Sequence, residues 1–158
     1  MGSRHQGPAH EVRALDAYIK LMRAADSVSA RIHRHLQDAE LTVGQFAVLE
    51  ALHHIGPLYQ RDLCAKLLKS GGNITMVVDN LEKRGLVTRQ RPEDNRRLVR
   101  VSLTPTGLRL ITRVFPVHAR TVAQDFGTLS AEEQQELGRL CRKLGRQGET
   151  PPGAERRA

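Results

Sequence analysis

The chain has 158 residues, 39% of them hydrophobic and 27% charged, which suits one domain with a real core and is short for two. Its 25 lysines and arginines against 17 aspartates and glutamates give a formal charge of +8, which favours a polyanion partner, either nucleic acid or an acidic membrane surface. No apolar run approaches the roughly 20 residues of a membrane span, the opening MGSRHQGPAH lacks a signal-peptide core, and Cys64 and Cys141 are too isolated for a disulfide framework or zinc spacing. These features predict a cytoplasmic protein with no membrane contact, structural metal or cofactor.

Residues 1–10 read as a flexible N-terminus. Val12, Leu15, Ile19, Met22, Ala25, Val28, Ile32 and Leu36 then recur at steps of three and four, which predicts one long amphipathic helix over 11–38. Its stripe needs cover, and in a chain this short a second copy is the natural source. Thr42 with Gln45 fits a capping box for a helix carrying Phe46, Leu49 and Leu52 and stopping near Gly56-Pro57. A short helix follows over 60–68, and Lys69-Ser70-Gly71-Gly72 reads as a tight turn. Ile74, Val77, Val78 and Leu81 define the next helix, with Gly85 as its stop.

The period then changes to two. Val99, Val101 and Leu103 alternate with Arg100 and Ser102, 86–91 supplies an opposing strand, and 92–97 is a polar hairpin tip. Thr104-Pro105 looks like a cap followed by proline in the first turn of a helix with Leu108, Ile111, Phe115 and Val122, which Pro116 should kink or interrupt. Ser130 with Glu133 opens a last helix carrying Leu137, Leu140, Cys141 and Leu144. The polar, Gly- and Pro-rich stretch 147–158 reads as disordered. The predicted class is mainly α with a small β-hairpin wing: a winged helix-turn-helix lobe over 42–104, flanked by dimerisation helices over 11–38 and 106–146, all in a single domain over 11–146.

A glycine-turned helix pair followed by a hairpin places charge where a phosphate backbone would lie. Lys83, Arg84, Arg89, Arg91, Arg96, Arg97 and Arg100 face only Glu93 and Asp94 in that run. The second helix of such a motif enters the major groove with its N-terminal residues nearest base edges. Here these are Ser70, Asn73, Thr75 and Met76. Asn73 suits an adenine edge and Met76 a thymine methyl, while the two hydroxyls suit phosphates or bases, although Thr75 reads equally well as a structural hydroxyl. Arg96 and Arg97 at the tip suit a narrow minor groove, with Asp94 orienting one of them. Arg89 and Arg91 complete the expected DNA-facing set.

From Leu41 to Gly107 the chain resembles the MarR family of transcriptional regulators, above all in NITMVVDNLEKRGLV, the acidic-then-arginine wing PEDNRR and the closing VSLTPTG. Many family members place the wing aspartate directly before the arginine pair, whereas here Asn95 intervenes, leaving open which arginine reaches the groove. The resemblance implies a triangular homodimer that reads a pseudo-palindromic double-stranded DNA operator, represses, and is released by a ligand or oxidant. It implies no enzymatic activity. The segment VFPVHARTV...LSAEEQQELGRLCRKLG resembles members that respond to quinones or catechols, which makes His33, Phe46, His53 and Tyr59 candidate residues for a small aromatic effector, each an apolar body or one with a polar tip. Thiol-based redox sensing through Cys64 or Cys141 is an alternative, although both read more naturally as small buried hydrophobes. A winged-helix module for protein contacts is the other alternative, against which the charge of the wing argues.

Overall fold

The computed structural model describes residues 4–67, 70–92, 95 and 98–145. The expected wing-tip residues Asp94, Arg96 and Arg97, and the tail 147–158, lie outside the described residues. The chain divides into two compact units, 1–122 and 123–158. Among the described residues no helix is long and apolar enough to cross a membrane.

The first unit opens with α1 (Ala9–Ile32), which passes into a 3₁₀ segment, His33–Ala39. The sequence period had carried the α-helix on to residue 38. Instead, its last stretch tightens so that Ile32 and Leu36 both reach the core, and it ends at Glu40 in the left-handed region (φ 52°, ψ 38°). Helix α2 (Val43–Ile55) begins at the expected capping box: Thr42 Oγ1 accepts from the Gln45 amide at 3.2 Å, and Gln45 Oε1 accepts from the Thr42 amide at 3.0 Å. Gly56, at φ +90°, ends it.

Three further elements complete the reading head. Strand β1 (Leu58–Tyr59), helix α3 (Gln60–Leu67) and helix α4 (Gly71–Lys83) follow in order. Gly71 and Gly72 do not form the expected turn. Ser70 caps α4, its Oγ accepting from the Asn73 amide at 3.4 Å, so both glycines lie in the first helical turn. Gly85 adopts φ +66° and ends the helix as expected. Strands β2 (Val87–Gln90) and β3 (Arg100–Leu103) form the predicted hairpin, with Val87 opposite Leu103 and Arg89 opposite Val101. The sequence missed β1, which pairs antiparallel with the other side of β3, Leu58 opposite Val101, giving the order β1-β3-β2. Two residues are too few for period-two alternation to register.

Thr104 then locks the sheet to α5 (Pro105–Phe126). Its hydroxyl donates to the Gly85 carbonyl at 2.7 Å and accepts from the Gly107 amide at 3.0 Å. Gly107 is required by close packing: a Cβ there would stand 1.9 Å from the Leu86 carbonyl oxygen. α5 runs uninterrupted through Pro116, where the sequence predicts a kink or an interruption. Pro116 and Thr112, the residue whose carbonyl loses its usual donor, are both exposed, so water can satisfy that carbonyl. The core gathers Leu49 and Val48 of α2, Leu63 of α3, Ile74, Val78 and Leu81 of α4, Val101 of β3 and Ile111 of α5, each at most 1% exposed.

In the second unit the end of α5 turns at Gly127 into α6 (Ala131–Gly145). Ser130 and Glu133 form the second predicted capping box, the Ser130 amide donating to Glu133 Oε2 at 2.8 Å and the Glu133 amide to Ser130 Oγ at 3.3 Å. No residue of α6 is buried.

Candidate nucleic-acid interface

Helix α4 divides its residues between two faces by helical spacing. Ile74, Val78 and Leu81 are within 1% of full burial, whereas Asn73, Met76 and Asn80 line the opposite face and are exposed. Met76 is 59% exposed, so its thioether is open to contact from outside. The Asn73 carboxamide makes no hydrogen bond among the described residues, so its donor and acceptor remain available to a base edge. Asn80, on the same face one turn beyond Met76, was missed by the sequence reading, although its spacing from Asn73 was visible. Ser70 caps the helix while remaining exposed.

Thr75 resolves toward its structural reading. Its hydroxyl donates to the Gly71 carbonyl at 2.9 Å and accepts from Gln60 Nε2 at 2.7 Å, tying α3 to the head of α4. Its donor is therefore already committed.

The basic run is also divided. Arg89 is held by two carboxylates of α4: its Nε donates to Glu82 Oε2 at 2.9 Å, its Nη1 lies 2.5 Å from Asp79 Oδ1, and its backbone amide donates to Glu82 Oε1 at 3.1 Å. Hydrogen bonding to Arg89 holds the Glu82 carboxyl below its ordinary value, and hydrogen bonding to Glu82 raises the Arg89 guanidinium further above its own. Arg89 thus fastens the wing strand to the recognition helix, while its side chain stays 28% exposed. Arg84, although exposed, donates to the Glu40 carbonyl at 2.7 Å. Lys83, Arg91 and Arg100 remain exposed and form no ion pair among the described residues.

A second constellation lies where the 3₁₀ segment, α2 and α5 meet. His118 of α5 packs against Phe46 with ring centroids 4.5 Å apart, against His35 at 5.3 Å and, stacked, against His33 at 5.8 Å. The rings continue through Phe115 to His54 at 4.5 Å and His53 at 6.3 Å. His33, Phe46 and, through Phe115, His53 therefore lie along one chain of ring contacts. Tyr59 is not among them. It lies on β1 with Arg61 stacked 5.8 Å above its ring, and lines a different cleft with Cys64 and Thr75. His35 and His118 were missed because the first falls in a 3₁₀ segment read as α-helix and the second is more than eighty residues away in sequence. Among the described residues no group of three or more histidines, cysteines or carboxylates is placed to hold a metal ion. Cys64 is half-buried; Cys141 is exposed on α6, not buried as its sequence context suggested.

A capped recognition helix with one open polar face, packed on a shorter helix and fastened to a three-stranded wing, defines a winged helix-turn-helix DNA-binding regulator. The profile of the MarR family matches residues 41–99. YkoM, an HTH-type transcriptional regulator of Bacillus subtilis, is 35% identical over 84% of this chain and 86% of its own. MhqR, another B. subtilis HTH-type transcriptional regulator, is 32% identical over 84% of this chain and 92% of its own. Among solved structures, Bordetella bronchiseptica BpsR is similar with a TM-score of 0.75 and 28% identity, covering 82% of this chain and 98% of that one. This chain belongs to the MarR family of transcriptional regulators.

Proposed function

We propose that this regulator acts as a homodimer on a pseudo-palindromic operator, as a repressor that a small aromatic, phenolic or quinone-like effector releases. The DNA-facing set in this reading is Ser70, Asn73, Met76 and Asn80 on α4, with Arg91, Arg96 and Arg97 on the wing and Asp94 orienting one wing arginine. Self-association is supported by apolar side chains left open on two helices: Leu15, Tyr18 and Met22 of α1, and Leu137, Leu140 and Leu144 of α6. A single domain over 11–146 and a cytoplasmic location fit the same reading.

The observation that carries the effector is the ring cluster of His33, His35, Phe46 and His118. Two of its ring nitrogens, His35 Nε2 and His118 Nδ1, are buried without a hydrogen-bond partner, which costs free energy unless a ligand or solvent supplies one. The similar protein BpsR has its DNA binding regulated by 6-hydroxynicotinic acid, a hydroxylated aromatic acid. The test is fluorescence anisotropy at moderate salt, titrating the protein into duplex from its own upstream intergenic region and into scrambled duplex, then adding phenols, quinones and salicylate-like acids. Preference for the native duplex, lost on adding one of these compounds, is expected. Equal binding to both duplexes would remove the operator, and indifference to every compound would remove the effector.

A further inference from the structure

Resting on the reading of the ring cluster as the effector site, we infer that this site is proton-coupled: an aromatic carboxylate enters together with one proton taken up by His35 or His118, whereas an uncharged phenol enters without one. The argument begins at His35, whose Nδ1 lies 2.6 Å from the Ile32 carbonyl oxygen. A carbonyl only accepts, so the ring proton resides on Nδ1 and the neutral ring presents a bare lone pair at Nε2. That Nε2 is buried and unpartnered, as is Nδ1 of His118, whose ring lies 5.3 Å away.

A carboxylate also offers only lone pairs, so against Nε2 of the neutral His35 ring it meets repulsion; a proton must lie between them. The balance is the same whether it is written as a carboxylic acid donating to imidazole or as a carboxylate accepting from imidazolium: from an anion in solution, one proton leaves the buffer and stays in the complex. A phenol carries its own proton and donates it to Nε2 with no exchange.

The surroundings limit the uptake to one proton. On the 3₁₀ segment, His33 and His35 both face His118 and a second imidazolium would stand against the first; Asp38 lines the adjoining cleft with His35. From α5 itself Arg113 lines that cleft without an ion-pair partner among the described residues and draws an anion in. α2 contributes the apolar ring of Phe46 here, its His53 and His54 meeting Phe115 instead. Burial, then the neighbouring His35 and His33, lowers the His118 pKa and so favours its neutral ring in the empty site.

The test uses the full-length protein and two probes of one shape, 4-hydroxybenzoate and 4-hydroxybenzamide, in calorimetric titrations between about pH 6 and pH 8 in buffers of different ionisation enthalpy. The benzoate should weaken with rising pH, by up to about tenfold per unit, and take up about one proton, while the benzamide should show neither effect. In His35→Gln, whose amide supplies a fixed N–H donor, the benzoate should bind with its pH dependence flattened. A benzoate affinity that is flat with pH, or proton uptake near zero, overturns the inference, as does failure of both probes to bind at millimolar concentration. Operator affinity measured on the same preparation separates the readings. Loss of operator preference counts against the DNA-binding proposal, whereas operator release by a neutral phenol with no proton uptake by the acid retains the effector and removes the coupling.

Discussion

Asn73 and Arg89 show how residues of one helix-and-wing unit serve different ends. Asn73 is open to the outside, so Asn73→Ala should cost about 1 to 3 kcal/mol on the preferred duplex and relax a single base position, measured by anisotropy against singly substituted operators; equal loss on every duplex would instead place Asn73 on phosphate. Arg89 is spent on Asp79 and Glu82, so Arg89→Ala should lower the melting temperature and weaken binding while leaving the salt slope unchanged. Arg91→Ala, removing an exposed and unpaired cation, should flatten that slope by about one unit if it meets a phosphate. The sequence could not sort these cations, because partner carboxylates seven and ten positions earlier become neighbours only once β2 folds back on α4. His118 makes the pH prediction. Its folded-state pKa is lowered, so its neutral form fits fully above the unfolded value of about 6.5, and stability is lost as pH falls below that value toward the folded one. His118→Phe should remove that acid-side loss in thermal melts taken from pH 8 downward; an identical acid slope in the variant would show that another group titrates.

At the scale of elements, local chemistry was the most legible part. Both capping boxes, the Gly85 stop and the Thr104-Pro105 start depend on residues within three or four positions of one another, and each lies where the pattern placed it. What escaped depends on distant partners: β1 exists because β3 offers it an open edge, and the 3₁₀ tightening exists because Ile32 and Leu36 must reach a core built by α2 and α5. Gly71 and Gly72 misled because paired glycines usually mark a turn, whereas Ser70 recruits them into a helix. Thr42→Ala should cost about 1 kcal/mol in denaturant unfolding, the usual worth of a side-chain cap. Gly107→Ala should cost about 3 kcal/mol or more, since its methyl would collide with the Leu86 backbone, which cannot retreat without displacing Leu86 from the core. A neutral result would mean that α5 can slide along the sheet.

Over the whole molecule, part of the +8 charge is already engaged within the protein, Arg84 donating to the Glu40 carbonyl and Arg89 pairing with Asp79 and Glu82. The open apolar side chains on α1 and α6 point in the same direction as the long stripes visible in the sequence: a chain whose monomer leaves Leu137 at 37%, Leu140 at 47% and Leu144 at 55% exposure has surface to cover. Replacing these three leucines with serine should shift the protein to a monomer or to aggregates in analytical ultracentrifugation, with loss of operator affinity; an intact dimer would exclude α6 from the interface. The seven-residue 3₁₀ segment, His33–Ala39, also has a mechanical consequence. It is the only covalent joint between α1 and the reading head, and its bonds are of poorer geometry than those of the helices on either side. The 24 residues of α1 make an arm about 36 Å long, so a turn of about 5° at this fulcrum carries the far end about 3 Å. His33 and His35 sit within this joint, so the rings of their cluster stand beside the point about which such an arm would turn.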